Sequence, residues 1–109
     1  MTDPTETPTI VDRPDENRFV ARGAGAEAQL DYHRNGNRFV LLHTEVPEAL
    51  GGHGLGGRLV RAAVDRAAQD DLTVVPWCPF ARQWLREHPD EAARVNVDWE
   101  SPRPERPTS

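Results

Sequence analysis

The sequence contains no lysine: all 13 basic residues are arginine. That excludes Schiff-base chemistry on the protein, which needs a lysine amine. Cys78 is the single cysteine, so an intramolecular disulfide is impossible. The four histidines, His33, His43, His53 and His88, share no zinc-ligand spacing with one another or with Cys78. No apolar run approaches the roughly 20 residues that span a bilayer. The N-terminus lacks the basic region and apolar stretch of a signal peptide. These absences predict a cytoplasmic chain without a metal site. Positive charge is scarce too, with a formal net charge of -5. A nucleic-acid binder needs a clustered basic face, and an anionic membrane selects for one; neither partner is expected.

Proline is unevenly placed. Six of the ten prolines lie in residues 1–16 and 101–109, polar stretches with little apolar surface to bury. Both are expected to be disordered tails, which leaves one domain over 17–100. The first tail carries five acids and one arginine and the second two arginines and one glutamate, so the domain itself stands near -2. A core that short is feasible, though small domains bury a smaller fraction of their surface.

Within 17–100 the periodicity changes twice. A short strand is expected over Asn17 to Arg22. From Ala26 to Arg34, Ala26, Ala28, Leu30 and Tyr32 alternate with Glu27, Gln29, Asp31 and His33, the pattern of a half-buried strand. Asn35-Gly36 is a strong hairpin signal. Asn37 to Val46 reads as a third strand, and its FVLL centre, apolar on both faces, predicts a central position. Pro47 ends it. Leu55, Leu59, Ala63 and Ala67, joined by Val60 and Val64, predict a helix from Gly54 to Gln69. Leu72 to Pro76 is a short buried strand. A second helix starts at Pro79, and Pro89 and Asp90 terminate it. Val95, Val97 and Trp99 alternate as a last short strand would. The order β-β-β-α-β-α predicts an α/β (α+β) fold: a mixed, mostly antiparallel sheet with two helices against it.

Leu50 to Val60, LGGHGLGGRLV, holds five glycines between the buried strand and the helix. Glycine within a helix costs about 0.8–1 kcal/mol relative to alanine, so glycines clustered at a helix start need a reason. One is the approach of backbone N–H groups to a ligand without Cβ interference. The first N–H groups of a helix lack intrahelical partners, and its positive end favours anions. The segment is either a phosphate cradle or a plain turn. It is not a P-loop, because Gly-Lys-Ser/Thr is absent. Gly52, Gly54 and Gly57 match G-x-G-x-x-G, but three antiparallel strands precede them and the core is too short for a full dinucleotide fold.

Gly51-Gly52-His53-Gly54-Leu55-Gly56 is similar to the Q/R-x-x-G-x-G/A element of GNAT N-acetyltransferases, with Gly51 where the family usually has Gln or Arg. HTEVPEALGGHGLGGRLV (43–60), VVPWCPF (74–80) and REHPD (86–90) together resemble the small YjdJ-type subgroup of that superfamily, in order and in spacing. The resemblance implies a reduced GNAT-like fold that binds acetyl-CoA and transfers its acetyl group to a small amine or protein amine. It implies pantetheine contacts from Thr44, Glu45 and Val46. It implies a pyrophosphate cradle from Gly52, His53, Gly54, Leu55, Gly56 and Gly57. Arg58 is either a phosphate partner or a helix-surface charge.

Acetyl transfer needs a base for the amine, a donor for the carbonyl oxygen and an acid for the thiolate. Glu45 is a candidate base, or a solvated or arginine-paired carboxylate. His43, on the same expected face as Phe39, Leu41 and Glu45, is a candidate catalytic or structural histidine. The acid tyrosine frequent in the family has no counterpart, since Tyr32 lies on an earlier strand. Cys78 follows a buried strand and precedes a helix, where a thiol tends to ionise; it is a candidate acyl acceptor or proton donor, or a core cysteine. A second reading is a non-catalytic acyl-CoA-binding sensor or carrier. A monomer or weak homodimer is expected.

Overall fold

The structure, a computed structural model, describes residues 9–23, 25–51 and 54–100. Six strands form one sheet in chain order: β1 (Ile10–Arg13), β2 (Arg18–Gly23), β3 (Ala26–Asn35), β4 (Arg38–Glu45), β5 (Thr73–Pro76) and β6 (Asn96–Val97). The pairs β1–β2, β2–β3 and β3–β4 are antiparallel; β4–β5 and β5–β6 are parallel. Helices α1 (Leu55–Asp70), α2 (Pro79–Glu87) and the single turn α3 (Pro89–Ala92) complete the described fold, with a 3-10 turn over Glu48–Leu50. This is the mixed α+β arrangement expected from the alternation of periods.

Three details differ from the expectation. The first 16 residues are not all tail: Ile10 and Val11 pair with Ala21 and Val20, and Ile10 packs against the core. The Tyr32 hydroxyl donates to Asp12 at 2.6 Å, and Arg66 of α1 pairs with the same carboxylate. Two apolar residues among acids and prolines suffice for a strand because distant partners receive both their backbone and their side chains. The other parts of the expected tails, residues 1–8 and 101–109, lie outside the described residues. Secondly, Pro89 terminates the second helix, which ends at Glu87, but the chain then adds a helical turn that was not expected. Pro89 then opens α3, as proline does at a first helical position. Thirdly, four strands precede α1, not three.

The core lies on one side of the sheet. Phe19, Leu30, Tyr32, Phe39, Leu41 and Val74 meet Leu59, Val60, Ala63 and Val64 of α1 and Ala81 and Leu85 of α2. The α1 residues recur at three- and four-residue intervals, so one helical stripe is buried. Val20, Val40 and Val75 alternate with these strand residues; they are buried yet stand outside that cluster. They mark the sheet's second face, where Arg18–Asp31, Arg22–Glu27 and Arg38–Asp98 form ion pairs. No described helix is long and apolar enough to cross a membrane.

Candidate active site

The site begins where two strands part. Strand β5 accompanies β4 from Arg38–Thr73 to Leu41–Pro76. The Cys78 N–H donates to the Leu41 carbonyl at 2.8 Å, and the chain then turns into α2. Strand β4 runs on to Glu45 with β3 alone, so a split opens beside its last residues.

Strand β4 carries a bulge at this point. Asp31 pairs with His43 but Tyr32 pairs with Leu41, so Leu42 is the extra residue. The bulge resets the alternation. Thr44, not His43, follows Leu41 onto the helix-covered side, and His43 and Glu45 are exposed on the other. Simple alternation put His43 and Glu45 with Phe39 and Leu41; the extra residue removes them from that face. Thr44 takes the place inside. Its Oγ1 lies 3.3 Å from Cys78 Sγ in a hydrogen bond whose proton either group can supply. Cys78 is buried at the N-cap of α2. The structure therefore brings Thr44 and Cys78 together and holds His43 and Glu45 apart from them.

Beyond this pair lies a cavity of about 350 Å³, lined by Thr44, Val46, Leu50, Gly51, Gly54, Leu55, Gly56, Gly57 and Phe80. That volume lies in the range of ligand pockets. Most of the expected cofactor contacts line it, namely Thr44, Val46, Gly54, Leu55, Gly56 and Gly57; Gly52 and His53 lie outside the described residues. Arg58 is exposed on α1 and engaged in an interaction of its own.

The glycines serve different ends. Gly54 is the N-cap of α1 at φ 65°, a left-handed conformation that disfavours any side chain. A Cβ there would meet no atom within 4 Å. At Gly56 a Cβ would lie 2.8 Å from the Phe80 ring, and at Gly57 2.5 Å from Trp84 Nε1. These two glycines seat the aromatic side chains of α2 against α1. Close helix packing is therefore part of the reason for the cluster that the sequence left between ligand and turn. Phe80, an exposed aromatic with 46% of its surface accessible, forms a cavity wall that sequence reasoning passed over. The adjacency of Pro79-Phe80 to Cys78 was the available signal.

Tyr32 takes no part in the cavity. Its hydroxyl is committed to Asp12, and Arg66 reaches it at 3.4 Å. Burial, then the bond to Asp12, pushes the phenol up to about 12. Among the described residues no three His, Cys, Asp or Glu side chains gather as a metal would require.

Comparison with known proteins shows the family and the fold. Residues 18–95 match the family model described as GCN5-related N-acetyl-transferase. Protein NATD1 from Homo sapiens is 37% identical over 75 residues, covering 66% of this chain and 66% of that protein. Protein NATD1 from Xenopus tropicalis is 31% identical over 90 residues, covering 80% and 83%. The NMR solution structure of a GCN5-like protein from Staphylococcus aureus superposes with a TM-score of 0.64 at 26% identity, over 86% of this chain and 94% of that one.

Proposed function

The chain belongs to the GCN5-related N-acetyltransferase family, and on that premise we propose that it binds acetyl-CoA in the cavity between Thr44 and Phe80 and transfers the acetyl group to an amine. The observation that carries this reading is the cavity itself, which opens at the β4–β5 split and is floored by the first turn of α1. Its walls fit the ligand's parts. Val46, Leu50, Leu55 and Phe80 offer apolar surface to an extended arm, and the N-terminal turn of α1 offers N–H groups to phosphates. Within the family we place the chain in the small YjdJ-type subgroup, on the linked motifs from His43 to Asp90.

Acetyl-CoA supplies a thioester whose carbon–sulfur bond is exchanged for a carbon–nitrogen bond. To the Thr44–Cys78 pair we assign the return of a proton to the leaving thiolate. Cys78 is only 2% exposed, which suits a proton donor better than a surface nucleophile. To Glu45 and His43, on the exposed side of β4, we assign the proton that an incoming amine must lose. The two sets of groups stand on opposite faces of one strand.

The separation of His43 and Glu45 from Cys78, and the commitment of Tyr32 elsewhere, favour a second reading: a module that binds acyl-CoA without turnover. An amide NMR titration with acetyl-CoA tests what both share. Saturable shifts are expected at Gly54 to Gly57, extending to Val46 and Cys78. Unmoved spectra at millimolar acetyl-CoA would remove both readings. Coenzyme A release with an amine panel then separates enzyme from binder.

A further inference from the structure

Most arginines in this chain face a carboxylate. Arg13, Arg18, Arg22, Arg34, Arg38, Arg61, Arg66 and Arg94 each form an ion pair. Arg82 and Arg86 are different. Their guanidinium carbons lie 5.7 and 5.4 Å from the centre of the Trp99 ring. Arg82 Nη2 donates to the Trp99 carbonyl at 2.9 Å. Among the described residues neither guanidinium meets a carboxylate. Like charges four residues apart on a helix repel, and this pair sits in a chain of net charge -5.

The indole holds both heads in place, which reduces the ordering that a ligand would otherwise impose. A guanidinium has five N–H donors in a planar fork suited to an oxyanion, and only one on this pair is spent on Trp99. Pro79, Arg82, Gln83 and Arg86 line a groove of about 340 Å³. Two of the neighbouring acids are engaged elsewhere: Glu87 accepts from Gln83, and Asp98 pairs with Arg38.

Position separates this groove from the cavity. Phe80 and Trp84 turn one flank of α2 toward Gly56 and Gly57, whereas Arg82 and Arg86 occupy the flank beside Trp99. A molecule in the cavity therefore lies on the other side of the helix. Yet Arg82 is only one turn from Cys78, to whose carbonyl its own N–H donates at 2.9 Å. We propose that Arg82 and Arg86, braced on Trp99, recognise the carboxylate of the acceptor, so that the acceptor is an amine carrying a carboxylate. The assignment to an acceptor rests on the acetyltransferase reading; the groove's affinity for carboxylate does not.

The test follows the Trp99 indole N–H by NMR in the full chain at low salt, with tetraglutamate as probe and tetraglutamine as its neutral match. Tetraglutamate should shift Trp99 saturably and tetraglutamine should not. Arg82→Gln with Arg86→Gln should weaken the tetraglutamate response roughly tenfold or more. The lysine pair, which keeps the charge and loses the flat fork, should fall between. Acetyl-CoA shifts at Gly54 to Gly57 should survive both double variants. No Trp99 shift, an equal shift with tetraglutamine, or an undiminished one in the glutamine variant overturns the proposal. Loss of acetyl-CoA affinity without loss of tetraglutamate affinity overturns it as well, because the pair would then read a cofactor phosphate. If the wild type takes tetraglutamate but not acetyl-CoA, the acetyltransferase reading and the acceptor assignment fall, and the carboxylate groove stands.

Discussion

At the scale of single residues, Gly57 shows how a helix can prefer a poor helix former. Alanine is favoured over glycine in a helix interior by about 0.8–1 kcal/mol, so propensity alone predicts that Gly57→Ala stabilises. The methyl group would stand 2.5 Å from Trp84 Nε1 and 3.0 Å from Cδ1. Trp84 in turn stacks on His88, with ring centres 4.1 Å apart. The indole must move, and its stack with it. Overpacking of this kind typically costs about 1–3 kcal/mol. The expected outcome is a lower thermal midpoint for Gly57→Ala; an unchanged or higher one would show that the indole gives way freely.

Elements differ in how plainly their sequences announce them. Strand β3 was legible because Ala28, Leu30 and Tyr32 alternate strictly with polar residues and are the ones buried. Helix α1 was legible from its repeat of Leu55, Leu59, Ala63 and Ala67, with Gly54 at its left-handed start. Strand β1 was hidden, since its only apolar pair sits among acids and prolines and its partners are distant in sequence. Deleting residues 1–13 tests its weight. A tail would be lost without effect. A strand whose Ile10 packs on the core and whose Asp12 ties Tyr32 to Arg66 should cost roughly 2–4 kcal/mol. Urea unfolding of the two chains measures the difference. In the candidate site the glycine turn and Cys78 were readable as motifs. The meeting of Cys78 with Thr44 was not, because it depends on an irregularity that alternation assumes away.

For the whole molecule, charge sets limits at both ends of the pH scale. Glu91, nearly buried, accepts from Arg94 at 2.7 Å and from Arg61 at 2.8 Å, and these bonds hold its carboxyl below the usual range. A depressed carboxyl contributes stability above its unfolded pKa, and that contribution disappears as pH falls through the folded value. Tyr32 acts at the other end. Its phenol, raised to about 12 from 10.0, contributes stability below about pH 10 that is lost as pH climbs toward 12. Denaturation midpoints across pH should therefore fall on both sides of a plateau. Glu91→Gln should flatten part of the acid limb, and Tyr32→Phe part of the alkaline one. Acid and alkaline limbs left unchanged by these substitutions would place the sensitive groups elsewhere.

The extra residue at Leu42 has a consequence for anyone moving segments between this chain and its relatives. What the end of β4 shows to the cavity is decided by whether the count from Leu41 to Thr44 is odd or even. Chemistry at Thr44 and exposure at His43 are thus joined by parity. A graft that kept every side chain type and dropped one position would exchange inside for outside, and it would look conservative in an alignment.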